Sequence, residues 1–387
     1  MTKLFRSLRI APSRMFCGLL ILLIVQAHHP QSQSPAARGR RGGGGGRSQA
    51  AKPLRTMSAY TNPIYNEDFP DPTVIRASDN FFYAYATQGI VNGKTLNIQV
   101  ARSLDLISWE HLGDALPVKP AWANRTQKFW APHVSQHGET FYLYYSADPN
   151  TLKGLCLAVA TAKSPGGPFT DSGQPLRCGE SFVNIDPMAF DDPQTGKRLL
   201  YWGSGFQPIR MQELAADRVS FKRGSRPRDV IFPIKNEEPA NYQRLIEGAW
   251  VTLHDGYYYL FFSGDNCCGD KAHYAVMVAR SRNAVGPYET LAEATGEPQS
   301  VILEHNQRWL APGHNSVIRD AAGDDWLIYH AIDTGKRLTD KIEGDRDVRR
   351  IMLMDRLVYR KGWPRVEWGS PSITRKPAPV VVVAGAR

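Results

Sequence analysis

The stretch "GYYYLFFSG" (256–264) is the clearest copy of an aromatic-rich pattern that occurs five times along the chain. The other copies read "NFFYAYAT" (80–87), "ETFYLYYSA" (139–147), "KRLLYWGSG" (197–205) and "DDWLIYHA" (324–331). Three of the five lead into an alanine- and valine-rich stretch that ends in Ala-Arg-Ser or Ala-Lys-Ser. Aromatic and β-branched residues favour strands, so the copies predict short β-strands in five related units.

Units of roughly 50–65 residues built from short strands fit a β-propeller with about four strands in each blade. A β-sandwich is the structural rival, but it does not explain why the aromatic strand occurs five times. The sequence therefore predicts an all-β, five-bladed β-propeller over residues 58–376, with a C-terminal tail at 377–387.

The N-terminal region differs sharply from this body. Residues 1–57 hold ten Lys or Arg and no Asp or Glu, so the remaining chain has 37 basic and 37 acidic residues. Basic residues precede an apolar stretch at 16–25 and small residues at 25–27, which predicts a signal peptide over residues 1–27. The stretch is too short to span a bilayer comfortably. Residues 28–57, rich in Gly, Arg and Ser, predict a disordered linker.

Charge and cysteine content limit the classes of function that the protein could have. The neutral body gives no basis for nucleic-acid binding, and removal of the signal would leave no membrane contact. Cys156, Cys178, Cys267 and Cys268 remain after cleavage, and four cysteines in an exported protein permit two disulfides. A Cys156–Cys178 bond with a vicinal Cys267–Cys268 bond is one possibility, and four reduced, buried thiols are the other.

Three carboxylates stand at comparable points of different units, each before an apolar stretch and its aromatic strand. They are Asp71 in "FPDPTVI" (69–75), Asp186 in "NIDPMAF" (184–190) and Glu247 in "IEGAW" (246–250). If each one heads the innermost strand of its blade, all three point into one axial funnel. Like charges and burial shift the pKa values of such acids, so that one stays protonated while another is ionised. Glycoside hydrolysis needs that pairing of a general acid with a base.

The chain at this point resembles glycoside hydrolase family 43, the five-bladed propeller arabinanases, arabinofuranosidases and β-xylosidases. The resemblance covers roughly residues 58–375 and also rests on "FWAPHV" (129–134), "APGHNSV" (311–317) and "MDRLVYRKGWPRV" (354–366). It implies that Asp71 is the general base, Asp186 the modulator of the acid's pKa and Glu247 the general acid of an inverting, single-displacement mechanism. His133 and Ala249 depart from the family's common motifs, and neither departure removes a carboxylate.

The prolines beside Asp71 suggest how the base is held. Pro70 and Pro72 fix their own φ angles, and Pro72 favours extended geometry at Asp71. We expect the two prolines to hold the carboxylate on the axis, where a small error in position lowers the rate.

Four other residues are candidates for the site. Phe69 and Trp130 are predicted to stack on sugar faces, although aromatic residues of a propeller often belong to its core. Arg350, rather than Arg349, is predicted to hold a sugar hydroxyl or the acid. His314 resembles the family histidine near the axis, and a structural Ca²⁺ or other ion beside it is an open alternative to a purely structural role. No cofactor is predicted to be required.

The sequence thus predicts a secreted, inverting glycosidase that cleaves α-L-arabinofuranosyl or β-D-xylosyl linkages of plant cell-wall polysaccharides. Arabinan, arabinoxylan or xylan would be its substrate. A non-catalytic carbohydrate-binding propeller and a retaining fructan hydrolase on a similar propeller are the alternatives. The sequence does not decide between endo and exo cleavage, because the shape of the loops decides that.

Overall fold

A computed structural model describes residues 58–151, 154–235, 238, 240–269, 271–336 and 348–382. These residues form five antiparallel sheets of four or five strands, which are the blades of a β-propeller. The predicted fold class and number of blades are therefore confirmed. The predicted signal peptide and linker, residues 1–57, lie outside the described residues. No helix within the described ranges is long and apolar enough to cross a membrane.

The strands of each blade follow one another in chain order from the innermost strand outward, after the short strand β1 (Ala59–Tyr60). Blade I consists of β2 (Thr73–Arg76), β3 (Phe82–Ala86), β6 (Gln99–Ser103) and β7 (Trp109–Asp114), with the hairpin β4 (Gly89–Val91) and β5 (Lys94–Leu96) between its second and third strands. Blade II consists of β8 (Phe129–His137), β9 (Thr140–Ala147), β10 (Cys156–Ala162), β11 (Thr170–Asp171) and β12 (Arg177–Cys178). Blade III consists of β13 (Met188–Asp191), β14 (Arg198–Trp202), β15 (Ile209–Glu213) and β16 (Arg228–Ile231).

Blade IV consists of β17 (Glu247–His254), β18 (Tyr257–Asn266), β19 (His273–Ser281), β20 (Glu289–Thr290) and β21 (Val301–Leu303). Blade V consists of β22 (Trp309–Arg319), β23 (Asp325–Asp333), β24 (Ile351–Arg360) and β25 (Trp363–Val366), and β26 (Lys376–Pro377) follows it. The helical segments among the described residues are short: 3₁₀ turns at Ala121–Ala123 and Tyr242–Arg244, and the α-helix α1 (Leu291–Thr295).

The aromatic stretches form the second strand of each blade, and their side chains fill the space between blades. Successive residues of a strand point to opposite faces. In β3, Tyr83 and Tyr85 accordingly pack with blade II, whereas Phe82 packs with blade V. In β9, Tyr145 packs toward blade I and Tyr144 toward blade III. Both faces of these strands are buried, which explains why they are aromatic at nearly every position instead of alternating with polar residues.

The N-terminal segment closes the ring against blade V. The strand β1 pairs with β26, and the hydroxyl of Tyr60 donates to the carbonyl oxygen of Met354 at 2.8 Å. The side chain of Asn62 both donates to the carbonyl oxygen and accepts from the N–H of Met354, at 3.0 Å each. Val381 is buried in the same core, and the N–H of Val380 donates to Asp320 at 2.9 Å. The boundary expected at residue 376 is therefore wrong, because the folded domain continues through residue 382.

A disulfide joins Cys156 to Cys178, directly opposite each other in the pairing of β10 with β12. This confirms one of the two bonds that the cysteine count permits. Cys267 and Cys268 are both thiols, so the vicinal bond is not formed in this structure. The disulfide between Cys156 and Cys178 holds the short outer strand β12 onto blade II.

Replacing both Cys156 and Cys178 by Ser should lower the free energy of unfolding by about 2–4 kcal/mol, because the closed loop no longer restricts the unfolded chain. Thermal unfolding of the wild type and the double variant, each with and without a reductant, measures this loss of stability. A strong reductant should lower the unfolding midpoint of the wild type and leave that of the double variant unchanged. Equal midpoints for the two proteins without reductant would contradict the prediction.

Candidate active site

The three predicted acids lie where the innermost strands of blades I, III and IV begin. Asp71 precedes β2 by two residues, Asp186 precedes β13 by two residues, and Glu247 is the first residue of β17. The Nδ1 atom of His314, on β22 of blade V, lies 3.4 Å from Asp71 Oδ1 and 3.8 Å from Asp186 Oδ2. The backbone N–H of Gly248 donates to Asp186 Oδ2 at 2.9 Å, which places Glu247 beside this group. The structure therefore brings the predicted catalytic residues together at one end of the axis.

The backbone at these positions is left-handed. Asp71 has φ 58°, Asp186 has φ 56° and His314 has φ 48°. Extended geometry at Asp71, expected from Pro72, is therefore wrong. Asp tolerates the left-handed region better than most residues, and the N–H of Asp71 finds a tertiary partner in Nδ1 of His330 at 3.1 Å. The tertiary hydrogen bond outweighs the local preference.

The carboxylate of Asp71 accepts hydrogen bonds from a cation and a hydroxyl. Arg350 Nη1 donates to Oδ1 at 2.9 Å, and the hydroxyl of Thr87 donates to Oδ2 at 2.5 Å. Burial alone would raise the pKa of Asp71, but nearby groups, led by the charge of Arg350, hold the pKa well below its usual value. Asp71 is therefore ionised at neutral pH, as a general base must be.

The other two carboxyl groups behave in the opposite way. Burial raises the pKa of Glu247 to about 8, against the hydrogen bond from Tyr274, which lowers it. Burial, followed by the charges of Glu247 and Asp71, raises the pKa of Asp186 well above its usual value. Since the pKa of Glu247 is about 8, its carboxyl group is protonated at neutral pH. The site then holds an ionised and a protonated carboxyl group at the same pH, which is the pairing that a general base and a general acid need.

Tyr274 is a site residue that sequence reasoning missed. Its hydroxyl donates to Glu247 Oε1 at 2.9 Å, and its ring lies parallel to that of His330 with 5.8 Å between centroids. A Cβ atom at Gly313 would come within 2.0 Å of the Tyr274 ring, so only glycine leaves room for it. Tyr274 lies in an alanine- and valine-rich strand, and its hydroxyl was the one feature of that stretch of sequence that could have indicated a function.

His330 and Thr87 were also missed as site residues, although the repeats contained a signal. Both stand at the end of an aromatic stretch, "YHA" and "YAT". A comparison of the last polar residue of each copy would have singled out His330, the one member of the five without a hydroxyl. His330 is fully buried, and burial lowers its pKa to about 4. Its imidazole is therefore neutral at neutral pH, where Asp71 is ionised.

The structure corrects the prediction for Phe69. Its side chain is 0% exposed and packs edge-to-face on Tyr65 with 5.2 Å between ring centroids. A ring in the core has no face to offer a sugar, so stacking by Phe69 is excluded. Its backbone N–H instead donates to the carbonyl oxygen of Arg350 at 2.8 Å, which fixes the arginine beside the base.

Arg350 and Trp130 are the remaining candidates. Arg350 reaches the axis, as described, whereas the guanidinium of Arg349 turns away to the side chain of Asn66 at 2.8 Å. Trp130 is half-buried at the edge of a depression of about 710 Å³. The depression is also lined by Lys128, Asp148, Gly154, Leu155, Glu180, Ser181 and Phe182. Sugar contacts of Arg350 and Trp130 stay predictions.

Comparison with known proteins decides the family. The family model for glycosyl hydrolases family 43 matches residues 60–364. The chain belongs to glycosyl hydrolases family 43. It is a glycosidase with the fold of that family. A crystal structure of a thermostable family-43 glycoside hydrolase is 28% identical, with a TM-score of 0.64 over 83% of this chain and 99% of the other.

Curated family-43 relatives cover most of the chain. The extracellular endo-alpha-(1->5)-L-arabinanase 1 of Bacillus subtilis is 28% identical over 77% of this chain and 88% of its own length. The extracellular exo-alpha-(1->5)-L-arabinofuranosidase ArbA of Cellvibrio japonicus is 26% identical over 78% of this chain and 86% of its own length. Xylosidase/arabinosidase 43B of Humicola insolens is 27% identical over 70% of this chain and 49% of its own length. These names favour neither a non-catalytic propeller nor a fructan hydrolase.

The pKa values of the family-43 site predict its pH profile. Because Asp71 must be ionised, kcat/KM should fall on the acid side only below pH 3.8, the ordinary value of the group. Because Glu247 must be protonated, kcat/KM should fall as the pH rises through about 8. In Tyr274→Phe the charged form of Glu247 loses a hydrogen bond, so its pKa rises and the alkaline limb moves to higher pH.

Tyr329→Phe is the matched control, since this buried tyrosine donates to Asp355 at 2.6 Å, outside the site. Its alkaline limb should coincide with that of the wild type. An unchanged limb in Tyr274→Phe would show that the hydrogen bond to Glu247 does not tune the acid.

Proposed function

We propose that this glycosidase hydrolyses α-L-arabinofuranosyl linkages of arabinan with inversion of configuration. The observation that carries the proposal is the placement of Asp71 against Arg350 and of Glu247 against Tyr274 in one buried site, which favours an ionised Asp71 and a protonated Glu247. Arabinan is favoured because the relatives of B. subtilis and C. japonicus are named for α-(1->5)-L-arabinan linkages and cover most of both chains. The β-D-xylosyl linkage is the second candidate, supported by the name of the H. insolens relative.

In the proposed reaction, Asp71 accepts a proton from water while that water attacks the anomeric carbon. Glu247 gives its proton to the leaving oxygen as the glycosidic bond breaks. Asp186 holds the backbone beside Glu247 through the N–H of Gly248. Arg350 and Thr87 each hold one oxygen of Asp71, which leaves further lone pairs of the carboxylate for the water.

The ion predicted at His314 enters the proposal only as an option. Within the described ranges, no group of three or more His, Cys, Asp or Glu side chains is arranged to hold a metal ion. An ion beside His314 would therefore take one imidazole from the protein and complete its shell with water. The proposed steps need no cofactor.

Export is part of the proposal. Two relatives are named as extracellular, and the first 27 residues have the order of a signal peptide. The disulfide between Cys156 and Cys178 suits an oxidising compartment. A polysaccharide substrate, too large to enter a cell, also requires an enzyme outside it.

The substrate and stereochemistry are tested together. Aryl α-L-arabinofuranoside, aryl β-D-xyloside and linear arabinan should be compared, and the first-formed sugar should be observed by NMR. We expect hydrolysis of the arabinosides with a product of opposite anomeric configuration, and product sizes from linear arabinan will separate endo from exo cleavage. A first-formed sugar with the substrate's configuration would overturn the role of Asp71 as a water-activating base.

Glu247→Gln tests the acid. The variant should lose about 10²–10⁴-fold in kcat on linear arabinan, whose leaving group needs a proton, and much less on an activated aryl arabinofuranoside. Glu213→Gln, a change of the same kind at a surface salt bridge with Lys222, should match the wild type on both substrates. Wild-type activity of Glu247→Gln on arabinan would exclude Glu247 as the acid.

A further inference from the structure

The five aromatic strands reach the axis with a polar residue at the same place of each repeat. Four of these residues carry a hydroxyl and the fifth an imidazole, in the order Thr87, Ser146, Ser204, Ser263 and His330. Register supports the equivalence, since Ser146, Ser263 and His330 pair with Trp130, Glu247 and Gly313 on the inner strands of their own blades. Blade V alone departs from the hydroxyl pattern.

Three of the four hydroxyls bond across to the next blade. Thr87 Oγ1 accepts the N–H of Ala131 at 2.8 Å, and Ser146 Oγ accepts the N–H of Asp186 at 3.0 Å. Ser263 Oγ accepts the N–H of His314 at 2.9 Å. Every one of these N–H groups belongs to a left-handed residue on, or just before, the inner strand of the next blade.

His330 makes the same contact across the seam between blades V and I, where its Nδ1 accepts the N–H of Asp71. Nδ1 also lies 3.2 Å from Asp71 Oδ1. With Nδ1 assigned as the acceptor of the N–H, the proton of the neutral ring is on Nε2. Nε2 is buried and has no hydrogen-bond partner among the described residues. A hydroxyl would make the fastening without leaving a buried ring donor unpaired, which is costly. Fastening alone therefore does not explain a histidine.

The ring offers something that a hydroxyl does not, which is a flat face. Tyr274 lies parallel to that face, with 3° between the ring planes, and its hydroxyl donates to Glu247. One imidazole thus touches the backbone of the base with an edge and supports the partner of the acid with a face. Both contacts come from a single rigid group.

We propose that His330 is a positioning residue that sets the base Asp71 and the acid Glu247 relative to each other. Nδ1 fixes the base through its backbone, and the ring face fixes the acid through Tyr274. The inference rests on the proposed roles of Asp71 and Glu247. It deepens that proposal, because the separation of the two carboxyl groups decides how the water fits between them.

Two substitutions separate the two functions of the ring. His330→Phe keeps a flat ring and removes the acceptor, so the base loses its position. Its kcat should fall about 100-fold on activated and unactivated arabinosides alike, because hydrolysis of both needs the base.

His330→Asn keeps an acceptor near the place of Nδ1 and removes the ring face beneath Tyr274. Its kcat should fall about tenfold more on arabinan than on an activated aryl arabinofuranoside, because only the former needs the acid.

Ser204→Ala is the matched control. Ser204 occupies the same place of blade III, and its Oγ has no hydrogen-bond partner in the part of the chain that the structure describes. This variant should keep the wild-type kcat on both substrates. Thermal unfolding of all variants shows which of them are folded at the assay temperature. If His330→Phe is not folded, the test is the loss of kcat in His330→Asn on arabinan compared with its loss on the activated aryl arabinofuranoside.

The possible outcomes are distinct. A uniform loss in His330→Phe together with a leaving-group-dependent loss in His330→Asn supports the inference. Equal losses on both substrates in His330→Asn, or wild-type kcat in either folded variant, overturn it while leaving the proposed function intact. Absence of hydrolysis by the wild type on every arabinoside and xyloside would instead overturn the proposed function and, with it, the inference.

Discussion

The backbone N–H of Asp71 crosses from blade I to the imidazole of His330 in blade V, and equivalent bonds cross between other neighbouring blades. Each one holds a residue in the left-handed region, which costs about 1–2 kcal/mol and so needs support from outside the strand. The left-handed backbone directs the side chains of Asp71, Asp186 and His314 toward the axis. The bonds that join the blades are therefore also the bonds that assemble the site, and neither could be changed independently of the other.

Burial acts on the three carboxyl groups alike, and one cation makes them different. Removal from water raises the pKa of Asp71, Asp186 and Glu247. Arg350 bonds to Asp71 alone of the three, and its guanidinium keeps its charge at any working pH. The charge of the arginine therefore selects which acid is ionised. The same dry surroundings strengthen every electrostatic contact that a developing transition state would make.

The seam of the propeller lies beside the active site. Each blade is a continuous segment of chain, so the ring is closed by the segment before Asp71, which lies along β24 of blade V. The N–H of Phe69 bonds to the carbonyl oxygen of Arg350, and the N–H of Arg350 bonds to Asp68 at 2.8 Å. Closing the ring thus brings the base to its cation. This also explains why Phe69 is in the core, since it secures the seam.

The sequence by itself determined the type of structure and the location of the acids. Aromatic residues at successive positions of a strand require two buried faces, which a blade between two neighbours provides, and five copies give five blades. Asp71 and Asp186 stand at equivalent points of their units and Glu247 stands one residue before that point, so repetition alone places them at one end of the axis. Only the tertiary structure decided the left-handed backbone of Asp71, the burial of Phe69, and the contacts of Tyr274 and His330. These depend on which atoms face each other across neighbouring blades after the ring has closed, and local propensity carries no information about such partners.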